Sequence, residues 1–164
     1  MLNIHPAIVH IPIGLLTLYA ILEIFSLKVF TKQNYWLPLK AILVIAGFLG
    51  ALAGLQSGEL LEHRFGEHAI VELHASFASA STWVFGIMAV AYLLVWLKSI
   101  PFLPEKYFSL LRKIAGFFTS RWIALIMALI GFILLSITGA LGGGMVHGAN
   151  ADPIVKFVFD IFVK

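Results

Sequence analysis

Six histidines are the side chains of this chain best suited to chemistry. His5 and His10 lie in HPAIVHIP, His63 and His68 in EHRFGEH, His74 closes HAIVELH, and His147 follows GALGGGMV. Imidazoles ligate metals, carry protons or hydrogen-bond at interfaces. There is no cysteine, which excludes disulfides, iron–sulfur clusters, thioether-linked cofactors and a thiol nucleophile. Any metal must rest on imidazole, thioether, carboxylate or backbone. His5 and His10, like His63 and His68, are five positions apart, which on a helix turns them about 140° from each other. Neither pair is a shared-face clamp, so ligation needs histidines from different segments. No GxSxG, HExxH or Walker-type motif occurs, and a hydrolase would lack its machinery.

The elements that must position these histidines are membrane helices. Of 164 residues, 61% are hydrophobic and 12% charged, against about 25% charged in soluble domains. The net charge of +3 comes from few residues and offers no nucleic-acid surface. Four apolar runs, at about 7–30, 39–61, 69–97 and 122–141, are each long enough to cross a bilayer. The first has no basic start or cleavage signal and is expected to be retained. Pro104 precedes a segment with Lys106, Arg112 and Lys113 that reads as a short interfacial helix. The tail DPIVKFVFDIFVK reads as another, with Asp152 as N-cap, Pro153 at the first helical position and Lys156, Asp160 and Lys164 as its polar stripe.

Basic residues orient the bundle. Lys28, Lys32, Lys40, Lys98, Lys106, Arg112, Lys113 and Arg121 border the first and third connections. By the positive-inside rule both termini and the second connection lie outside. All six histidines then fall at the outer end. HPAIVH and HAIVELH open the first and third runs, and GALAG (50–54) and GALGG (139–143) end the second and fourth. This reads as two pseudo-repeated helical hairpins with His10 and His74 on equivalent helices. Small residues gather at the same depth: Gly47, Gly50, Gly54 and Gly58 along the second run, and Ala75, Ser76, Ala78, Ser79 and Ala80 in the third. Close helix packing accounts for such residues. A flat macrocycle beside its ligands also needs them, and histidines with missing bulk at one depth fit haem.

Glu67 and Glu72 are placed to orient an imidazole from one helical face. Glu23 is the one acidic residue expected within the membrane, a functional candidate by default unless it reaches the inner interface near Lys28. The tryptophans and tyrosines read as interface anchors or packing. The glycines of GALGGGMVHG are expected to let the chain leave the fourth helix and return His147 over the bundle mouth.

HPAIVHIPIGLL, the small-residue end of the second run, the histidine early in the third and GALGGGMVHG together resemble domain of unknown function 2231, a family of bacterial membrane proteins. The resemblance covers nearly the whole chain. Its most specific element is H-P-x-x-V-H-x-P-I, carrying His5 and His10, followed by the glycine-rich stretch before His147. It implies a four-helix membrane domain in a respiratory or redox setting, joined in some members to cytochrome-c-like modules. It names no reaction. Ile11 stands where Phe is common, a change that leaves the histidines untouched.

These readings predict a single all-α transmembrane domain over 1–164, a four-helix bundle with two interfacial helices, holding b-type haem near its outer face for electron transfer. It is expected to act as an electron-transfer or accessory subunit rather than a stand-alone enzyme. His10 and His74 are the expected axial pair, His5 and His147 a shallower pair or supports, and Glu67 and Glu72 the groups behind them. The expected setting is the bacterial inner membrane, with a c-type cytochrome or other respiratory subunit as partner and the oligomeric state open. Two other readings stay open on the residues alone. One is a cofactor-free structural or assembly subunit whose outer histidines contact a partner; the other is a non-haem metal-binding membrane protein.

Overall fold

Inside a bilayer every backbone N–H and C=O must be bonded within its own segment, which makes the apolar runs helices. The computed structural model describes residues 5–26, 32–65, 69–97 and 105–163, with backbone alone for 61–65 and 105–108. Six helices occur among the described residues: α1 (His5–Ile24), α2 (Trp36–Phe65), α3 (Ala69–Leu97), α4 (Glu105–Phe118), α5 (Arg121–His147) and α6 (Pro153–Phe162). Four are long and apolar enough to cross a membrane: 20 residues in α1, 25 over Trp36–Leu60 of α2, 29 in α3 and 27 in α5. The chain is a multi-pass membrane protein.

The four spans close a ring in which α1 packs on α2, α2 on α3, α3 on α5 and α5 on α1. α1 and α3 stand on a diagonal and meet through side chains at the axis. Tyr19 of α1 lies edge-on to Phe85 and Tyr92 of α3, with ring centroids 6.1 and 5.8 Å apart. α4 leans on α3 through buried Ala115, and α6 seats Val155 and Val158 on α5. Asp152 caps α6 as expected, accepting from the Ile154 and Val155 N–H groups at 2.8 and 2.9 Å, and Pro153 follows it.

The hairpin repeat is present, but in a different register from the one read off the motifs. Leu16 of α1 packs on Gly47 of α2 as Phe85 of α3 packs on Gly131 of α5. His5 lies against Gly58 as His74 lies against Gly142. The same chain spacing separates His5 from His74 and Leu16 from Phe85, and one common spacing relates the two glycine pairs. Leu16, Tyr19, Ala20 and Glu23 are buried in α1, and their counterparts Phe85, Met88, Ala89 and Tyr92 are buried in α3. The partner of His74 across the repeat is therefore His5, not His10.

A second correction concerns the glycines before His147. They do not end the helix. α5 runs through them and stops at Gly148, whose φ of 91° lies in the region glycine favours. Gly144 lies directly under the Phe159 ring of α6, and a Cβ at Gly142 would stand 3.1 Å from the His74 Cε1. The glycines permit close approach, as small residues do where lipid supplies no apolar drive between helices.

Candidate functional site

Two imidazoles stand at the end where α1 and α3 begin. His5 opens α1 and His74 lies in the second turn of α3; both are half-buried and within electrostatic reach of each other. Each is tied to the opposite helix of its own hairpin. The His74 Nδ1 bonds the Thr138 carbonyl of α5 at 3.0 Å. A carbonyl only accepts, so Nδ1 carries the proton. The His5 Nδ1 lies 2.7 Å from the Ser57 Oγ, and that hydroxyl spends its one proton on the Gly54 carbonyl at 2.9 Å. Those two distances are compatible with Nδ1 as the donor here too. For His74 the carbonyl fixes the tautomer, with the lone pair on Nε2. Thr138 and Gly54 are themselves counterparts in the hairpin repeat, so the two rings reach equivalent carbonyls, one directly and one through a hydroxyl.

The surroundings are small. Gly58 of α2 and Gly142 of α5 lie against the two rings, with Gly54 and Ala78 one turn below and Ser81 two turns below. Ser81 turns its hydroxyl back to the Ala78 carbonyl at 2.9 Å and so adds no free polar group.

The other expected site residues are elsewhere. His10 is exposed on α1 and donates from Nδ1 to the Pro6 carbonyl of its own helix. With His5 facing α2, the 140° turn over five residues carries His10 away from the axis. His147 is exposed at the last position of α5 and does not return over the bundle. Glu72 is exposed on α3, with its carbonyl accepting from Ser76. Glu67 and His68 lie outside the described residues, as does the side chain of His63. Among the described residues no three His, Asp or Glu side chains gather as a metal-binding group.

At the opposite end stands a cluster that the sequence reading did not assemble. Glu23 is 5% exposed and Lys40 of α2 8%; the Lys40 Nζ bonds both carboxylate oxygens, at 3.0 and 3.1 Å. Tyr92 of α3 donates its hydroxyl to the Glu23 Oε1. Lys40 also sits 5.9 Å from the Trp36 ring centroid and 5.1 Å from that of Tyr92. The Tyr19 hydroxyl lies within electrostatic reach of Glu23 and Tyr92 but short of hydrogen-bond geometry to either. From the sequence Lys40 reads as one of the orienting basic residues, and Tyr19 and Tyr92 as anchors or packing. The available signal was spacing: Tyr19 and Glu23 are four apart, on one helix face.

Comparison with family models, with curated proteins and with solved structures finds no match.

Proposed function

We propose that this protein is an integral-membrane electron-transfer subunit in which His5 and His74 would hold a b-type haem. The observation that carries the reading is that each imidazole is tied through Nδ1 to the opposite helix of its hairpin. A ligating imidazole usually donates its other N–H to a carbonyl, carboxylate or water, which fixes the ring and raises its basicity. Both imidazoles have that support, through Thr138 in one case and through Ser57 and Gly54 in the other. Imidazole is a common ligand of haem iron, and the glycines and alanines beside His5 and His74 keep side-chain bulk low. Haem would supply one-electron chemistry; the chain's own residues bind, orient and shield it. Without cysteine the attachment would be non-covalent.

The same hydrogen bonds favour one rival, a cofactor-free bundle in which the histidines only join helices. Interhelical polar contacts do serve as such glue in membranes. Detergent-purified protein, expressed with ample haem, separates the two. A sharp reduced α-band with low-spin spectra, and haem extractable by acid–acetone, is the expected result. Folded, monodisperse and colourless protein would overturn it.

A further inference from the structure

On the Lys40 half of the bundle a groove of about 330 Å³ opens outward between α2, α3 and α4. We propose that this groove binds one acyl chain of an anionic phospholipid, with the headgroup held by Lys113 and Arg121.

The groove is apolar along its whole wall. At its back Phe48 of α2 packs directly on Gly86 of α3. α4 contributes Leu111, Ile114, Ala115 and Phe118, the i, i+3, i+4, i+7 positions of one helix face. No charged, amide or hydroxyl side chain lines it, so nothing there would orient a sugar, a nucleotide or a quinone ring. Its length suits a lipid tail. α3 lines it from Trp83 to Leu94, about 16 Å of helix. Trp83 is the middle residue of α3 (Ala69–Leu97). The groove therefore runs from mid-span toward the helix end, the depth of one leaflet of a core about 30 Å thick. Spread along that length, the volume gives a cross-section of about 20 Å², one hydrocarbon chain wide and too narrow for a helix about 10 Å across. Trp83 itself is 69% exposed. Indoles favour membrane interfaces, and this one instead forms the deep end of the groove.

Lipid tails gain no hydrophobic drive from an equally apolar wall, so retention needs other sources. Shape is one. A concave wall touches a chain from several sides and gains dispersion that a convex helix surface does not. Charge is the other. From Ser109 to Arg121 the charged residues are Arg112, Lys113 and Arg121, all positive, and no acidic residue occurs between Glu105 and Asp152. Lys113 and Arg121 are exposed. With the apolar face of α4 on the chain, its polar face, with Lys113, is left for the headgroup layer. Arg121 follows the groove residue Phe118 by three positions, and its guanidinium sits 5.9 Å from the ring centroid of exposed Trp122. Arginine beside an exposed tryptophan suits headgroup depth. Each such cation favours an anionic lipid over a zwitterionic one.

Native mass spectrometry of the full chain, equilibrated in detergent with phosphatidylglycerol or with phosphatidylcholine, tests this. Wild type should retain one phosphatidylglycerol per chain and prefer it over phosphatidylcholine by about thirtyfold, the sum of two surface cations. Lys113→Gln combined with Arg121→Gln should abolish most of that preference while phosphatidylcholine binding stays as it was. Val90→Trp, at an exposed position of the groove wall, fills the groove and should lose both lipids, with helicity by circular dichroism as the check on folding. The double variant keeps the test decisive if Val90→Trp does not fold. Equal retention of the two lipids by wild type, or a double variant as selective as wild type, would reduce the bound molecule to ordinary boundary lipid and overturn the site. Wild-type binding by folded Val90→Trp would move it out of the groove. A dimer that forms in wild type and is lost in Val90→Trp would make the groove a contact between two copies of the chain instead.

Discussion

At the His5–His74 end, each imidazole is tied through Nδ1 to the neighbouring helix, His74 to a carbonyl and His5 to a hydroxyl. At the Glu23–Lys40 end the polar side chains are satisfied mainly by one another and by aromatic faces. Both ends are built on the same two helix stripes. His5, Val9, Pro12, Leu16, Tyr19 and Glu23 form one, and His74, Ala78, Ser81, Phe85, Met88 and Tyr92 the other. What differs is bulk. Phe85, Met88, Tyr19 and Tyr92 fill the axis on one side until none is more than 1% exposed. Ala78, Ser81, Gly54 and Gly58 leave the histidine side less filled, with both imidazoles half-buried.

Removing an imidazole should break this contrast most severely. His5→Ala and His74→Ala are each expected to lose most bound haem or turn the remainder high-spin, while His10→Ala and His147→Ala keep the wild-type absorption spectrum. Melting of each apo variant, recorded alongside, separates lost ligation from lost fold. If His10→Ala proves as damaging as His74→Ala, the hairpin register is wrong.

At the other end, Lys40→Met leaves Glu23 buried without its cation and should cost about 3–5 kcal/mol, read as a lower melting temperature in detergent. Haem content per folded molecule should not change, since the two ends share no polar contact. Adding Glu23→Gln to Lys40→Met should recover part of the loss, as expected for directly coupled partners.

Glycine substitutions sharpen the comparison within the histidine end. A Cβ at Gly142 would stand 3.1 Å from His74, tighter than the 3.4 Å between Gly58 and His5. Gly142→Ala should therefore cost about 1–3 kcal/mol and broaden the spectrum, with Gly58→Ala clearly milder. The smallest effect is expected from Ser57→Ala, which removes the hydroxyl between His5 and the Gly54 carbonyl. Haem titration should show about tenfold weaker binding, the low end for loss of such a supporting group, with the spectrum still low-spin.

Apolar runs, their lengths and the absence of cysteine determine a four-span helical membrane protein from the sequence alone, because lipid leaves the backbone few alternatives. Asp152 and Pro153 likewise announce α6, since a cap acts over neighbouring residues. The gathering of histidines toward one end is also legible, because it needs only the order of the spans. Which histidines meet is not. His5 rather than His10 reaches the axis because the stripe through Leu16, Tyr19 and Glu23 extends back to it, and that stripe is recognisable only once burial shows which face of α1 is inside. With every side apolar, α1 carries no strong periodic signal of its own. The glycines before His147 could end a helix or admit a neighbour, and only the placement of His74 and Phe159 decided for the second. Glu23 and Lys40 are 17 positions apart on different helices, and sequence proximity had favoured Lys28. Tertiary packing paired Glu23 with Lys40 because the depth at which α1 and α2 cross, set by Leu16 on Gly47, brings the two charges level in a place where neither could be left alone.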